Sequence, residues 1–136
     1  MGKLDELEIK LDKLINERAK IDREIENVKE TIKFEKDKKY FDLTYIMSEN
    51  ISFKSVNEIK EKIQEIIGKE NIKSYEFLGL KTLTYTIKEN NHGFYAIVKF
   101  KQTEDKIALI EKELRTAKDI LEFLTIRLDE IEYYNN

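Results

Sequence analysis

Few side chains in this sequence have the chemistry to act on a substrate. His92 is the one histidine among 136 residues, and cysteine is absent, so acid-base work near neutral pH would fall to one imidazole or to a carboxylate shifted by burial. His92 stands in Glu89-Asn90-Asn91-His92-Gly93, a run of turn formers in which it is predicted to be a solvated turn residue. Ser48, Ser52, Ser55 and Ser74 have no paired base that would activate a hydroxyl. There is no Gly-rich phosphate loop, and the acidic residues are spread around helix surfaces rather than set at metal-ligand spacing. No catalytic residue, metal site or cofactor is therefore expected. Tyr85, Phe94 and Tyr95 have rings on which RNA bases could stack. Such aromatics also serve as core or cross-strand pairs, and the sequence signature of stacking RNA-binding sheets is absent.

The element that would carry these aromatics is spelled out in residues 78–100. Leu83, Tyr85 and Ile87 alternate with Thr82, Thr84 and Thr86, and Phe94, Ala96, Val98 and Phe100 alternate with Tyr95, Ile97 and Lys99. That is a two-residue period, with the turn predicted at Glu89–Gly93 and one buried side. Gly79 breaks the first strand's alternation, as a bulge would. Upstream, Phe41, Leu43, Tyr45 and Met47 alternate with Asp42, Thr44 and Ile46 as an earlier strand. A helix of about thirteen residues is predicted after it, capped by Ser55 with Glu58 three positions on, buried through Val56, Ile59, Ile63, Ile66 and Ile67, and stopped by Gly68. Thr103 opens another helix, with Ile107, Ile110 and Leu114 on its buried stripe.

Residues 1–37 form a different kind of segment. Leu4, Leu7, Leu11, Leu14, Ile21, Ile25, Val28 and Ile32 repeat at alternating spacings of three and four, interrupted at Arg18. This is the coiled-coil period. At ~1.5 Å per residue such a helix reaches roughly 50 Å, too long to pack along its whole length on a domain of under 100 residues. Two readings stand: a helix folded back on its own domain, or a coiled coil with another chain or a second copy. The 39% charged content fits a long solvated helix.

Charge is unevenly shared. Residues 1–36 carry 9 basic and 10 acidic side chains, residues 37–102 carry 11 and 9, and residues 103–136 carry 5 and 9. No segment has the clustered Lys and Arg of a generic polyanion binder, so RNA contact would have to be local. The end, with Asp129, Glu130 and Glu132, is predicted to be a solvated acidic tail over residues 131–136. The first residues are charged and no run of about 18 apolar residues occurs, so neither a signal peptide nor a membrane span is expected and a cytoplasmic location is.

The last segment reads two ways. Ile107, Ile110, Leu114, Ala117, Leu121, Leu124, Leu128 and Ile131 keep helical spacing, so one helix could run to the end and pair with the first. Against this, Phe123 to Leu128 alternates and is rich in β-branched and aromatic residues, which suits a strand. A strand there completes a β-α-β-β-α-β order, an α+β ferredoxin-like sandwich with a four-stranded antiparallel sheet and both helices on one face.

A resemblance favours the strand. Residues 39 to about 130 resemble the bacterial small-subunit ribosomal protein six family. Lys39-Tyr40-Phe41-Asp42 and Tyr45-Ile46-Met47 match its opening, and Gly79, Lys81, Leu83, Tyr85 and Ile87 match its Gly-x-Arg/Lys-x-Leu-x-Tyr-x-Ile segment, with Leu80 in close register. Gly93-Phe94-Tyr95 matches its Gly-Tyr-Tyr strand, and Glu111, Leu114, Arg115 and Leu124 to Leu128 match its final helix and strand. The resemblance implies a ferredoxin-like domain over residues 38–130 that binds central-domain ribosomal RNA together with small-subunit ribosomal protein eighteen, on a cytoplasmic or organellar ribosome. It implies Lys39, Lys81, Arg115 and Arg127 as the RNA-facing side chains. Two positions depart from the pattern: Thr86 where many members have proline, and Glu122 where a basic residue commonly enters the last strand. The N-terminal helix has no counterpart in the family domain.

Overall fold

The computed structural model describes residues 2–135. They divide between Lys36 and Asp37 into two units, a helix and an α/β unit. The helix, α1, spans Lys3–Asp37, and none of its side chains is buried. The second unit runs β1 (Lys39–Ser48), α2 (Phe53–Ile67), a short 3-10 turn (Lys69–Asn71), β2 (Ile72–Ile87), β3 (Asn90–Gln102), α3 (Glu104–Thr116), β4 (Ile120–Leu128) and α4 (Glu130–Tyr134).

The sheet order is β2-β3-β1-β4 with antiparallel neighbours throughout. It is the ferredoxin-like arrangement that the β-α-β-β-α-β order predicts. The alternation in β1 and β3 sends Leu43, Tyr45, Met47, Ala96, Val98 and Phe100 to one face, where they are fully buried. Ile63 and Ile67 of α2 and Ile110 and Leu114 of α3 complete that core, so both helices cover the same face. Gln102 fastens the layers: its Nε2 donates to Ile67 O at 2.9 Å and its Oε1 accepts from Thr103 N at 2.8 Å. Both ends of a buried amide are thereby used. Phe123–Leu128 joins the sheet as part of β4, pairing with β1 from Tyr40↔Leu128 to Met47↔Ile120. The continuous helix to the C-terminus does not form: α3 ends at Thr116 and the backbone of residues 120–128 is taken up by pairing with β1.

Three local expectations need correction. The turn after β2 is Lys88-Glu89, not Glu89–Gly93: Ile87 pairs with Asn90, and Lys88 and Glu89 lie in the left-handed region at φ 47° and 65°. Asn90 is the reason. Its side chain is buried, accepting from Ser48 Oγ at 3.0 Å and Glu49 N at 3.1 Å and donating to Lys88 O at 2.9 Å. One amide thus ties the turn to the end of β1, and the gain offsets two residues held at positive φ. The cap of α2 is Ser52, whose Oγ accepts from Ser55 N at 3.1 Å; Ser55 lies inside the first turn. Gly68 ends α2 as predicted, at φ 86°.

The third correction concerns the acidic end. Residues 130–134 form α4 instead of a solvated tail, because Asp129 and Glu132 make a capping box: Glu132 N donates to Asp129 at 2.7 Å and Asp129 N to Glu132 at 3.3 Å. Tyr133 is then buried, its ring 4.5 Å from that of Tyr40, and Lys73 Nζ donates to its carbonyl. A five-residue helix cannot stand alone. Its formation depends on this docking, so Tyr133→Ala is expected to release α4 at a cost of about 1–2 kcal/mol, less than a central core deletion because α4 can detach locally. Chemical denaturation checks the stability, and amide exchange at residues 130–134 should rise even where the sheet stays protected.

Candidate nucleic-acid interface

The face of the sheet away from α2 and α3 is read directly from the register. Across β3, β1 and β4 it presents Tyr95, Ile46 and Glu122, then Ile97, Thr44 and Leu124, then Lys99, Asp42 and Ile126, then Lys101, Tyr40 and Leu128. Tyr133 packs on Tyr40 in the last row. Ile46, Leu83 and Leu121 form a small second core near the first row. Between these covered ends Leu124 and Ile126 are exposed at 59% and 51%. Asp42 Oδ1 is buried there without a hydrogen-bond partner among the described residues.

The four cations implied by the resemblance fall into three places. Lys39, at the start of β1, and Arg127, opposite Phe41 in β4, converge on Glu104 at the first turn of α3. Lys39 Nζ is 2.6 Å and Arg127 Nη1 3.9 Å from Glu104 Oε1. The hydrogen bond from Lys39, then its charge, hold the Glu104 carboxyl below its ordinary range, with Arg127 adding a little. Asp105 stands beside Glu104 in the same turn, and solvent-exposed pairs of this kind exchange partners at little cost. Lys81 lies at the opposite end of the sheet, across from Gly93 on the edge strand β2. Arg115 is in the last turn of α3, its guanidinium 6.0 Å above the Phe123 ring. Lys99 and Lys101 also stand on the open face, and the family motifs do not reach them. Their signal in the sequence is alternation with the buried Val98 and Phe100.

The aromatic trio does not make a stacking platform. Phe94 faces the helix side, stacked on Phe77 at 5.8 Å, where they line an apolar groove of about 300 Å³ with Phe53, Val56 and Tyr75. Tyr95 packs against the second core. Tyr85 Oη donates to Glu122 at 3.2 and 3.3 Å, and that carboxylate's charge, then its hydrogen bond, raise the Tyr85 phenol. The departure at Glu122 thus has a local use. His92 is a β3 residue opposite Thr82 rather than a turn residue, with Nδ1 3.3 Å from Glu49 Oε2. No cluster of three or more His, Cys, Asp or Glu able to hold a metal occurs among the described residues, and no helix there is long and apolar enough to cross a membrane.

The model of the family described as Ribosomal protein S6 matches residues 40–127. The chain is 31% identical over 94 residues to the small ribosomal subunit protein bS6 of Granulibacter bethesdensis, covering 68% of this chain and 61% of that protein. It is 33% identical over 95 residues to bS6 of Gluconobacter oxydans, covering 68% and 59%. The chain thus spans about three fifths of the length of these relatives. The crystal structure of 30S ribosomal protein S6 from Thermotoga maritima superposes with a TM-score of 0.64 at 21% identity, covering 72% of this chain and 94% of that one. That likeness shows the fold.

Proposed function

We propose that this chain, which belongs to the ribosomal protein S6 family, is a structural component of the small ribosomal subunit that binds central-domain ribosomal RNA together with small-subunit ribosomal protein eighteen. The observation that carries the RNA half is the convergence of Lys39 and Arg127 on the single carboxylate of Glu104. A phosphate arriving there would gain two cations at the loss of two surface ion pairs to Glu104, and charge-assisted bonds to phosphate need no base contact. Lys81 and Arg115 supply separate backbone contacts at other ends of the unit. The protein half rests on the open face, where Leu124 and Ile126 are exposed around the unpartnered Asp42 oxygen, a surface that suits an apolar partner carrying one donor. The bacterial relatives favour a cytoplasmic ribosome as its place. Membership of a ribosomal protein family supports a structural rather than an enzymatic role.

A second reading makes the chain an interaction protein whose α/β unit does not bind RNA; the exposed seam of α1 supports the interaction part of it. Sucrose-gradient fractionation of native lysate separates the two. The protein is expected to travel with small subunits and to be released only at elevated salt, whereas a wholly free pool at low salt would reject ribosomal binding. With reconstituted protein eighteen and a central-domain RNA fragment, Lys39→Glu with Arg127→Glu should weaken binding. The slope of log affinity against log salt should become shallower by about 1 for each phosphate that is no longer neutralised.

A further inference from the structure

The seam of α1 stays uncovered along its length: Leu4, Leu7, Leu11, Leu14, Ile21, Ile25, Val28 and Ile32 are all between 46% and 68% exposed. From its spacings, Leu4, Leu11, Arg18, Ile25 and Ile32 take heptad position a, and Leu7, Leu14, Ile21 and Val28 take d. Four successive heptads of this kind are enough to hold a coiled coil, and a helix of roughly 50 Å is too long to hide its whole stripe on a domain of under 100 residues. We infer that α1 is a parallel, in-register, two-stranded coiled coil with a second copy of this chain.

Charge settles the partner and the direction. In a parallel self-pair each g residue meets the e residue five positions on in the other copy. Lys3 then meets Glu8 and Glu24 meets Lys29, each twice by symmetry, and Lys10 meets the uncharged Ile15. Glu17 meets Asp22, the one repulsive pair. Arg18 answers it: its Nε is 4.0 Å from Asp22 Oδ2 of its own helix, and as an a-position knob it is flanked by Glu17 of the other copy. In the antiparallel alignment that pairs Leu7 with Ile32, Leu14 faces Ile25 and Glu17 faces Glu24, and only Glu8 with Lys29 attract; the alignment that pairs Leu4 with Val28 sets Lys10 against Glu24 but also Glu8 against Asp22 and Glu17 against itself. Arg18 also limits the number of strands. In a dimer its long side chain leaves the axis for solvent, whereas three or four strands would enclose a ring of guanidinium groups without counter-charges.

Self-association through α1 does not depend on RNA binding, and its test reads a different property. Sedimentation equilibrium of the full chain should give about twice the single-chain mass of 16.3 kDa. Leu11→Asp with Ile25→Asp should return it to one chain and leave the cooperative unfolding of the α/β unit in place. Because the chain has no cysteine, Leu14→Cys should cross-link to itself on oxidation nearly completely, as a d position meets its own copy in a parallel register. A single-chain mass at every concentration, a mass of three or four chains, or cross-linking of Leu14→Cys to Ile25→Cys in place of itself would overturn the proposal.

Discussion

Raising the pH above about 10 is expected to destabilise the α/β unit progressively, with the buried Tyr45 as the largest single contributor to the slope. Tyr45 is fully buried in the main core, and its hydroxyl is bonded to that of Tyr75 on β2. Burial, then the charge and hydrogen bond of Tyr75, push its phenol far above the ordinary range. Burial also raises Tyr75, although the hydrogen bond from Tyr45 works the other way by stabilising a Tyr75 phenolate. The sign follows. Below about 10 both folded and unfolded chains keep these protons and stability does not change; above it the unfolded chain releases protons that the folded one retains. Stability should then fall by about 1.4 kcal/mol per pH unit from Tyr45 alone, or nearly 3 kcal/mol by about pH 12, with Tyr75 adding to the slope. Tyr45→Phe should flatten the fall while costing roughly 1 kcal/mol at neutral pH, where Tyr75 loses its partner. Denaturant titrations followed by circular dichroism from about pH 8 to 12 check this. Absorbance would be confounded, because the chain has seven tyrosines. Equal slopes for the two proteins would remove Tyr45 as the cause.

What the sequence disclosed about this fold tracks how far each signal reaches along the chain. The two-residue alternation in β1 and β3 marked the buried face without ambiguity, since both strands are central and each has a covered side. At β4 the local pattern served both helix and strand; the family resemblance favoured the strand, and pairing with β1, some eighty residues away, is what forms it. The turn misled for the same reason. Asn-Asn-His-Gly is a good local turn, but Asn90 gains three hydrogen bonds from β1 and the turn carbonyl only if the reversal moves back to Lys88-Glu89. The acidic end looked solvated because three carboxylates, Asp129, Glu130 and Glu132, fall within four residues, yet two of those charges form the cap that lets Tyr133 dock. Among the candidate RNA contacts, Lys39 and Arg127 could be placed together only through strand register, and the carboxylate they share comes from a third element, α3. Lys99 and Lys101, which the family motifs do not reach, are placed on the open face by the register of β3 against β1.

Gly93 is expected to be the least replaceable position on the open face. It pairs with Ser48 on one side and Lys81 on the other, in the middle of three strands. A Cβ added there would lie 2.5 Å from Ile46 Cγ2, 3.2 Å from Met47 O and 3.4 Å from Leu83 Cδ2. Neither of the two nearer obstacles yields easily: the carbonyl belongs to β1, and Ile46 is buried against Leu83 and Leu121 in the second core. Gly93→Ala should therefore cost about 1–3 kcal/mol and Gly93→Val about 3 kcal/mol or more, the range of overpacking in a closed site. Urea unfolding measures both. The cause is identified by a second substitution: Ile46→Ala alone should cost about 2 kcal/mol or more for the space it leaves, yet combined with Gly93→Ala the total should fall short of the sum by at least about 1 kcal/mol. Strict additivity would show that the cost lies in the backbone at Met47 and not in the side chain of Ile46. Either result gives the Gly93-Phe94-Tyr95 motif a physical meaning. Its glycine lets three strands close over Ile46, and that closure brings Leu83 into the second core and Tyr85 within reach of Glu122.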